Sequence, residues 1–432
     1  MIKKLLLIIL VLGCLGLAGL LVYQADLTGK VFLGGEPSPA PAKDLHLEFV
    51  AEVYESIKQN YWDKISDADL AIFFKLAVEK LIGSSAPVDP KNKDEVVTLT
   101  NQIIKDFDSD KKTEFVTQMS DLVLVNLKPF GRSRLYTVKQ EKELKNSVQN
   151  RDTLTDLYAV LDVSKAATTK EIRISYQKKV EELENDESSK AKEKLAQVNR
   201  AFETLAQPER KEVYDKTGIE PTVIYRLLTP NIFYIKLSKF SPQSFEELEK
   251  AANSIDPKKK GGPIALIFDL RGNIGGAIDI LQYFLGPFIG PNRYAYDFFH
   301  QENTEPFKTK IGWFDGLVRY KKVIILIDEK SQSSAEVMAA AMKKYNVGVL
   351  IGVPTKGWGT VEKVFPIENQ IDSKQKFSML LVHSLTLRDD GQPIEGRGVD
   401  PTINLNDKDW PQQLMAYFNY PELVSVVREL IK

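Results

Sequence analysis

Hydrophobic positions along this chain follow three rhythms, and each change of rhythm marks a candidate element. Residues 5–23 carry no charge, a continuous apolar run long enough to cross a bilayer as a helix. Phe49, Val53, Ile57 and Tyr61 then recur every four residues, as do Leu70, Phe73, Ala77 and Leu81, with Gly83 set as a stop. That spacing predicts a pair of amphipathic helices, and residues 94–127 continue the helical pattern. From Ile232 the rhythm shortens. NIFYIKLSKF alternates like a half-buried strand, SPQSFEELEKAANSI has a serine cap before an amphipathic helix, and IALIFDL reads as a buried strand, together a β-α-β unit. VIILI at 323–327 precedes an alanine-rich helix, and VGVLIGVPTKGWGTVE at 347–362 reads as strand, glycine loop, strand. Leu423, Val426, Val427 and Leu430 predict one terminal helix, packed on the core rather than joining two subunits.

The stretch SQSSAEVMAAAM at 331–342 carries the candidate chemistry. A β-branched strand that ends at Asp328, turns through Lys330 and Ser331 and enters a helix presents a serine beside free N–H groups. Ser333 or Ser334 there is a candidate nucleophile whose oxyanion the backbone donors would meet, and the structural alternative is a plain N-cap.

Composition narrows the field. The 432 residues, 43% of them hydrophobic, allow two or three domains with a substantial core. A net charge of -1 argues against a nucleic-acid partner. One cysteine excludes an intrachain disulfide, and three histidines argue against a histidine-rich metal site, so no metal or cofactor is expected. Lys3 and Lys4 ahead of the apolar run and an acidic residue behind it predict a single-pass anchor in the cell membrane, with the chain beyond Gln24 on the extracytoplasmic side. A cleaved signal peptide is the alternative, although no A-x-A site follows the run. Val11-Leu12-Gly13-Cys14 faintly resembles a lipoprotein cleavage box, but the run continues past Cys14, which reads first as a plain apolar residue. GGEPSPAPAK at 34–43 is a proline-rich stalk.

Three motifs together resemble the C-terminal processing peptidases, or tail-specific proteases, serine peptidases with a Ser/Lys dyad. They are Asp269-Leu270-Arg271 with Gly275-Gly276, the run from Ser331 to Glu336, and GQPIEGRGVDPTI at 391–403. The resemblance covers about 170 residues and implies an α/β peptidase core, a mixed sheet with β-α-β units. Residues 45–82 more weakly resemble that family's N-terminal helical segment, for which a packing role is expected. Asp269 and Arg271 are expected to brace the turn. The resemblance implies that Gly275 and Gly276 help form the oxyanion hole, that Ser333 is the nucleophile and that Ser334 supplies an oxyanion N–H.

The family's base, a lysine between two glycines, falls at Trp358, between Gly357 and Gly359; a supporting glutamine falls at Glu362 and a helix aspartate at Lys344. Lys356, two residues before Trp358, is a candidate relocated base, about 6.6 Å away if the segment is a strand. Burial beside the tryptophan would lower its pKa, while Glu362 on the same face would raise it. The rival reading is a pseudoprotease that binds peptides without cutting them.

DLYAVLDVSKAATTKEIRISYQKK and LAQVNRAFETLAQPERKEVYDKTG resemble a J-domain, an all-α co-chaperone module, with core positions Tyr158, Leu161, Val163, Ile172, Tyr176, Val198, Ala201, Phe202, Leu205, Tyr214 and Asp215. Where that family has His-Pro-Asp, this chain has Glu184-Asn185-Asp186, and Glu181 and Glu182 break the basic docking helix. No heat-shock ATPase partner is therefore expected. The module stands where the peptidase family usually has a PDZ domain. The predicted organisation is an anchor (1–24), a stalk (34–43), a helical region (44–150), a J-domain-like module (151–220), a peptidase-like core (221–406) and a C-terminal helix (407–432). The implied substrate is an unfolded or tail-exposed exported polypeptide.

Overall fold

The structure, a computed structural model, describes residues 44–150, 156–184, 186, 188–256, 261–388 and 390–431. The predicted anchor, Cys14 and the stalk lie outside these residues. Among the described residues no helix is long and apolar enough to cross a membrane.

Four helices open the described chain: α1 (Leu45–Asn60), α2 (Asp67–Ile82), α3 (Lys93–Ile104) and α4 (Ser109–Val125). Ser66, Asn92 and Asp108 cap the last three by accepting a first-turn N–H, and Gly83 ends α2 in the left-handed region at φ 70°. Phe49, Val53, Ile57 and Tyr61 are buried as a stripe. In α2 the buried residues are Leu70, Ala71, Phe74, Ala77 and Val78, while Phe73 and Leu81 are only partly covered. A strict four-residue repeat outruns a helix of 3.6 residues per turn, so the covered stripe drifts off it. The four helices share their core with Ile367, Met379 and Leu381 of the peptidase-like region, which gives them the expected packing role.

The chain then forms β1 (Arg134–Thr137) and α5 (Val138–Val148). Although β1 falls within the predicted helical region, it joins a core sheet, a pairing that four residues are too few to announce by period. Helices α6 (Leu157–Leu161), α7 (Thr169–Leu183), α8 (Ser189–Leu205) and α9 (Pro208–Thr217) make the next module. Leu157, Tyr158, Leu161, Ile172, Val198, Ala201 and Leu205 form its core, against which Val163, Tyr176, Phe202 and Tyr214 pack, and Tyr158 donates to Asp215.

Two sheets follow. The elements in order are β2 (Val223–Thr229), β3 (Ile232–Leu237), α10 (Pro242–Asn253), β4 (Ala265–Asp269), α11 (Leu281–Ile289), β5 (Tyr294–His300), β6 (Asn303–Lys308), α12 (Asp315–Val318), β7 (Lys322–Ile327), α13 (Ser334–Lys344), β8 (Val349–Gly352), β9 (Thr360–Pro366), β10 (Phe377–Leu387) and β11 (Ile403–Asn404). One sheet runs β11-β8-β7-β4-β3-β2, parallel except for the β2–β3 hairpin; the other is antiparallel, β1-β10-β5-β6 with β9 also on β10. β3 is buried on both faces rather than half-buried, because a parallel strand inside this sheet is covered by helices on each side. The C-terminus is two helices, α14 (Trp410–Phe418) and α15 (Pro421–Leu430), rather than one. Asn419 in the left-handed region at φ 45° and Pro421 separate them, and both pack on the sheet through Trp410, Leu414, Leu423 and Val427.

His300 at the end of β5 and His383 at a bulge in β10 stack with ring centroids 4.3 Å apart. Burial, with Lys363 and His300 nearby, pushes His383 down to about 4. The unfolded chain takes up this proton near pH 6.5 and the folded one only near 4, so stability falls as pH drops through that window. For a partly exposed ring the effect is on the order of 1 kcal/mol. Urea unfolding at pH 7 and pH 4.5 is expected to show a smaller pH-dependent loss in His383→Gln than in the parent; equal losses would contradict the assignment.

Candidate active site

β7 lies between β4 and β8, so the turn after it opens at the carboxyl end of the parallel sheet. Asp328 fixes that turn: its Oδ1 accepts from the N–H groups of Gly272 (2.9 Å) and Ser331 (2.9 Å), and the Ser331 hydroxyl donates to the Leu270 carbonyl at 2.9 Å. Asp269 accepts from Arg271 and, at 2.8 Å, from the Tyr234 hydroxyl, while Arg271 Nη1 donates to Leu430 O at 2.9 Å, which is the expected bracing.

Ser333 is the residue before α13 and has φ 57°, ψ -124°. A non-glycine residue in that region costs about 1–3 kcal/mol and persists only where its surroundings impose it. Glu336 imposes it. This fully buried carboxylate accepts through Oε2 from the N–H groups of Ser333 (2.8 Å) and Trp358 (2.8 Å), and through Oε1 from the Gly357 N–H (2.7 Å) and the Thr355 hydroxyl (2.6 Å). Burial raises its pKa, against the pull of the four donors. One side chain thus ties the serine turn to the 355–358 loop.

The glycine turn meets Ser333 directly. A Cβ on Gly275, at φ 84°, would sit 2.7 Å from Ser333 Cβ, and one on Gly276, at φ 139°, would sit 2.1 Å from the Phe240 carbonyl oxygen. The Gly275 N–H is spent on Asn273 Oδ1 at 2.8 Å. The N–H groups of Gly276 and Ser334 have no hydrogen-bond partner among the described residues, so both remain open as donors beside Ser333. The Ser334 hydroxyl turns away, donating to Gly276 O at 3.2 Å.

Trp358 occupies the position next to the serine, since its N–H shares Glu336 Oε2 with that of Ser333. The Arg132 guanidinium stacks 3.3 Å above the indole and pairs with Glu395 at 3.1 Å, and Glu395 in turn accepts the Gly359 N–H at 2.8 Å. Lys356 is exposed, in contrast to the burial expected for it. Residues 353–359 are loop rather than strand, because Gly357 adopts φ 78°. The Lys356 ammonium donates to Gln332 Oε1 at 2.5 Å and lies 4.9 Å from the indole centroid. Glu362 accepts from the Thr360 hydroxyl at 2.6 Å instead of meeting Lys356, and Lys344 lies over the Tyr294 ring at 3.9 Å. The closing segment forms the loop's floor: Val399 N–H donates to Thr355 Oγ1 at 2.7 Å and Gly396 N–H to Gly357 O at 2.9 Å.

Ser333, Gly276, Trp358 and Glu362 line one cleft of ≈ 700 Å³ whose walls include Ile278, Tyr296, Phe298, Phe307 and Leu380. Arg132 and Glu395 lay beyond sequence reasoning. Arg132 stands in no motif, and Glu395, although inside the closing motif at 391–403, carries no local sign that it pairs with Arg132 and holds the Gly359 N–H; both reach the loop through the fold. Glu336 had a signal, three residues after Ser333 in the first helical turn, where an acidic side chain can fold back on a cap.

The sequence profile of peptidase family S41 matches residues 231–405, which hold the serine turn, the glycine turn, the 355–359 loop and its floor. Residues 231–405 form an S41 peptidase domain. A DnaJ domain profile matches residues 156–215, the module of α6–α9. The carboxy-terminal processing protease CtpB of Bacillus subtilis is 28% identical over 182 residues, 42% of this chain and 35% of that protein. A carboxy-terminal-processing protease of Bartonella bacilliformis is 25% identical over 189 residues, 43% of this chain and 41% of that one. The chain thus matches about two fifths or less of the length of these relatives. A solved photosystem II D1 C-terminal processing protease covers 84% of this chain and 94% of its own at 12% identity and a TM-score of 0.49. The S41 domain accounts for the candidate catalytic turn, while the connection between α4 and β1 adds Arg132 to it from outside the matched segment.

Proposed function

We propose that this chain is a membrane-anchored serine endopeptidase of the C-terminal processing type, acting outside the cytoplasm on unfolded or tail-exposed polypeptides. The observation that carries this is the pair of open N–H donors, Gly276 and Ser334, flanking a strained Ser333 at the cleft. In the proposed reaction Lys356, exposed as an ammonium at rest, first gives up a proton to solvent, and the Ser333 oxygen then attacks the peptide carbonyl carbon as its own proton passes to the resulting neutral amine. The oxyanion accepts from Gly276 and Ser334; on collapse the C–N bond breaks, and the lysine returns the proton to the leaving amine. Water then hydrolyses the acyl-serine ester. Lys356 has to swing from Gln332 to the adjacent Ser333, a movement open to an exposed four-carbon side chain. Arg132 is no substitute, because a guanidinium keeps its protons.

The second reading, a tethered polypeptide-binding scaffold without turnover, is favoured by one feature: the Trp358 indole, capped by Arg132, where the related peptidases are expected to carry lysine. Incubating the detergent-solubilised full chain with β-casein, an unfolded polypeptide, separates the two. Cleavage that a fluorophosphonate blocks is expected; intact β-casein together with no fluorophosphonate labelling would leave the scaffold. For the anchor, removing residues 1–24 is expected to move the protein from the membrane pellet to the soluble fraction, and a truncated chain that stays in the pellet would contradict it.

A further inference from the structure

Val223, Ile224, Tyr225 and Arg226, four consecutive residues of β2, line a single groove of ≈ 860 Å³. Side chains on a strand alternate between its faces, so a groove met by four in succession runs along the strand's edge. Among the described residues β2 is the last strand of its sheet and pairs only with β3. The groove's other walls are Pro208 and Val213 of α9, the connection through Ile219 and Pro221, and Pro242 of α10; it is separate from the cleft that holds Ser333.

The hydrogen-bonding phase of the edge is fixed. The Thr222 carbonyl accepts from the Ser238 N–H at 2.9 Å and so points into the hairpin, while at the strand's start the N–H groups of Thr222 (2.8 Å) and Val223 (2.9 Å) both end on Glu247 Oε2. Alternation puts the N–H and C=O of Tyr225 on the same outward edge, beyond the reach of the β2–β3 ladder. Arg210, only 8% exposed on the groove wall, donates to the carbonyls of Glu203 (2.8 Å) and Pro221 (3.2 Å), but its Nε has no acceptor among the described residues. Arg226, Lys250 and Glu246 mix both signs around the groove, which disfavours a strongly charged occupant.

We propose that this groove holds an extended, uncharged, apolar stretch of the polypeptide substrate, laid against β2 as an added strand, with its carbonyl oxygens facing the Tyr225 N–H and the Arg210 wall. The DnaJ-like module is then one wall of an exosite. The inference rests on the polypeptide-handling reading above, without requiring turnover.

Binding of fluorescein-labelled β-casein to the full chain carrying Ser333→Ala, followed by anisotropy, tests it free of hydrolysis. Adding Tyr225→Pro, which removes the outward N–H at an edge position that tolerates proline, is expected to weaken binding about tenfold. Val213→Glu on the opposite wall is expected to do the same, and Tyr225→Phe, which keeps the N–H, to bind as the parent. If the proline variant does not fold, the Val213→Glu arm decides. Unchanged affinity in Val213→Glu would overturn the proposal, as would conversion of a self-associated chain to monomers by that substitution, which would assign the groove to a second copy. A wild-type chain that fails to cut β-casein would remove the peptidase reading alone and leave this test intact.

Discussion

Ser333→Ala is expected to lower β-casein cleavage by at least about a thousandfold while leaving the fold intact. The hydroxyl is the only group the substitution removes. The backbone strain at φ 57° and the 2.8 Å bond from the residue's N–H to Glu336 survive it, so thermal unfolding should shift by no more than a few degrees. Residual cleavage would report the donors of Gly276 and Ser334, which bind the oxyanion whether or not a nucleophile is present. Cleavage at the parental rate in the purified variant would remove Ser333 from the reaction.

Glu336→Ala carries the largest expected effect on stability. It strands four donors in a site from which water is excluded: the N–H groups of Ser333, Gly357 and Trp358 and the Thr355 hydroxyl. Leaving buried partners of a carboxylate unsatisfied costs about 3–5 kcal/mol, measurable as a fall in the urea midpoint. Activity should disappear with it, because the same side chain holds the serine turn and the base loop together. Glu336→Gln keeps an acceptor for some of these donors and is expected to be intermediate in stability. A Glu336→Ala chain as stable as the parent would mean that the loop is held by the closing segment alone.

The serine turn was legible because its determinants are local. A β-branched run, a polar turn and an alanine-rich helix lie within twenty residues, and the glycine turn announces itself by two adjacent glycines. The parts that escaped are those assembled across the chain. Arg132 reaches Trp358 from the N-terminal region, and Glu395 reaches Gly359 from the closing segment, with no periodicity to betray either. Lys356 shows a different limit: reading its segment as a strand put it on one face with Trp358 and Glu362, but Gly357 at φ 78° breaks the alternation and leaves the ammonium in solvent beside Gln332. β3 misled by the same logic in reverse. Its pattern alternates like an exposed-face strand, yet position inside a parallel sheet buries both faces. The module of α6–α9 was legible, Leu157 apart, because its core, from Leu157 to Leu205, is built from one contiguous segment.

The account turns on whether an amine serves Ser333 although an indole fills the adjacent position. The rate at which a fluorophosphonate labels Ser333, compared between wild type and Lys356→Ala across neutral to alkaline pH, measures that most directly. The account predicts that wild type is labelled faster as pH rises and that Lys356→Ala is slower by about a hundredfold or more at every pH. Equal labelling rates in the two proteins would contradict it.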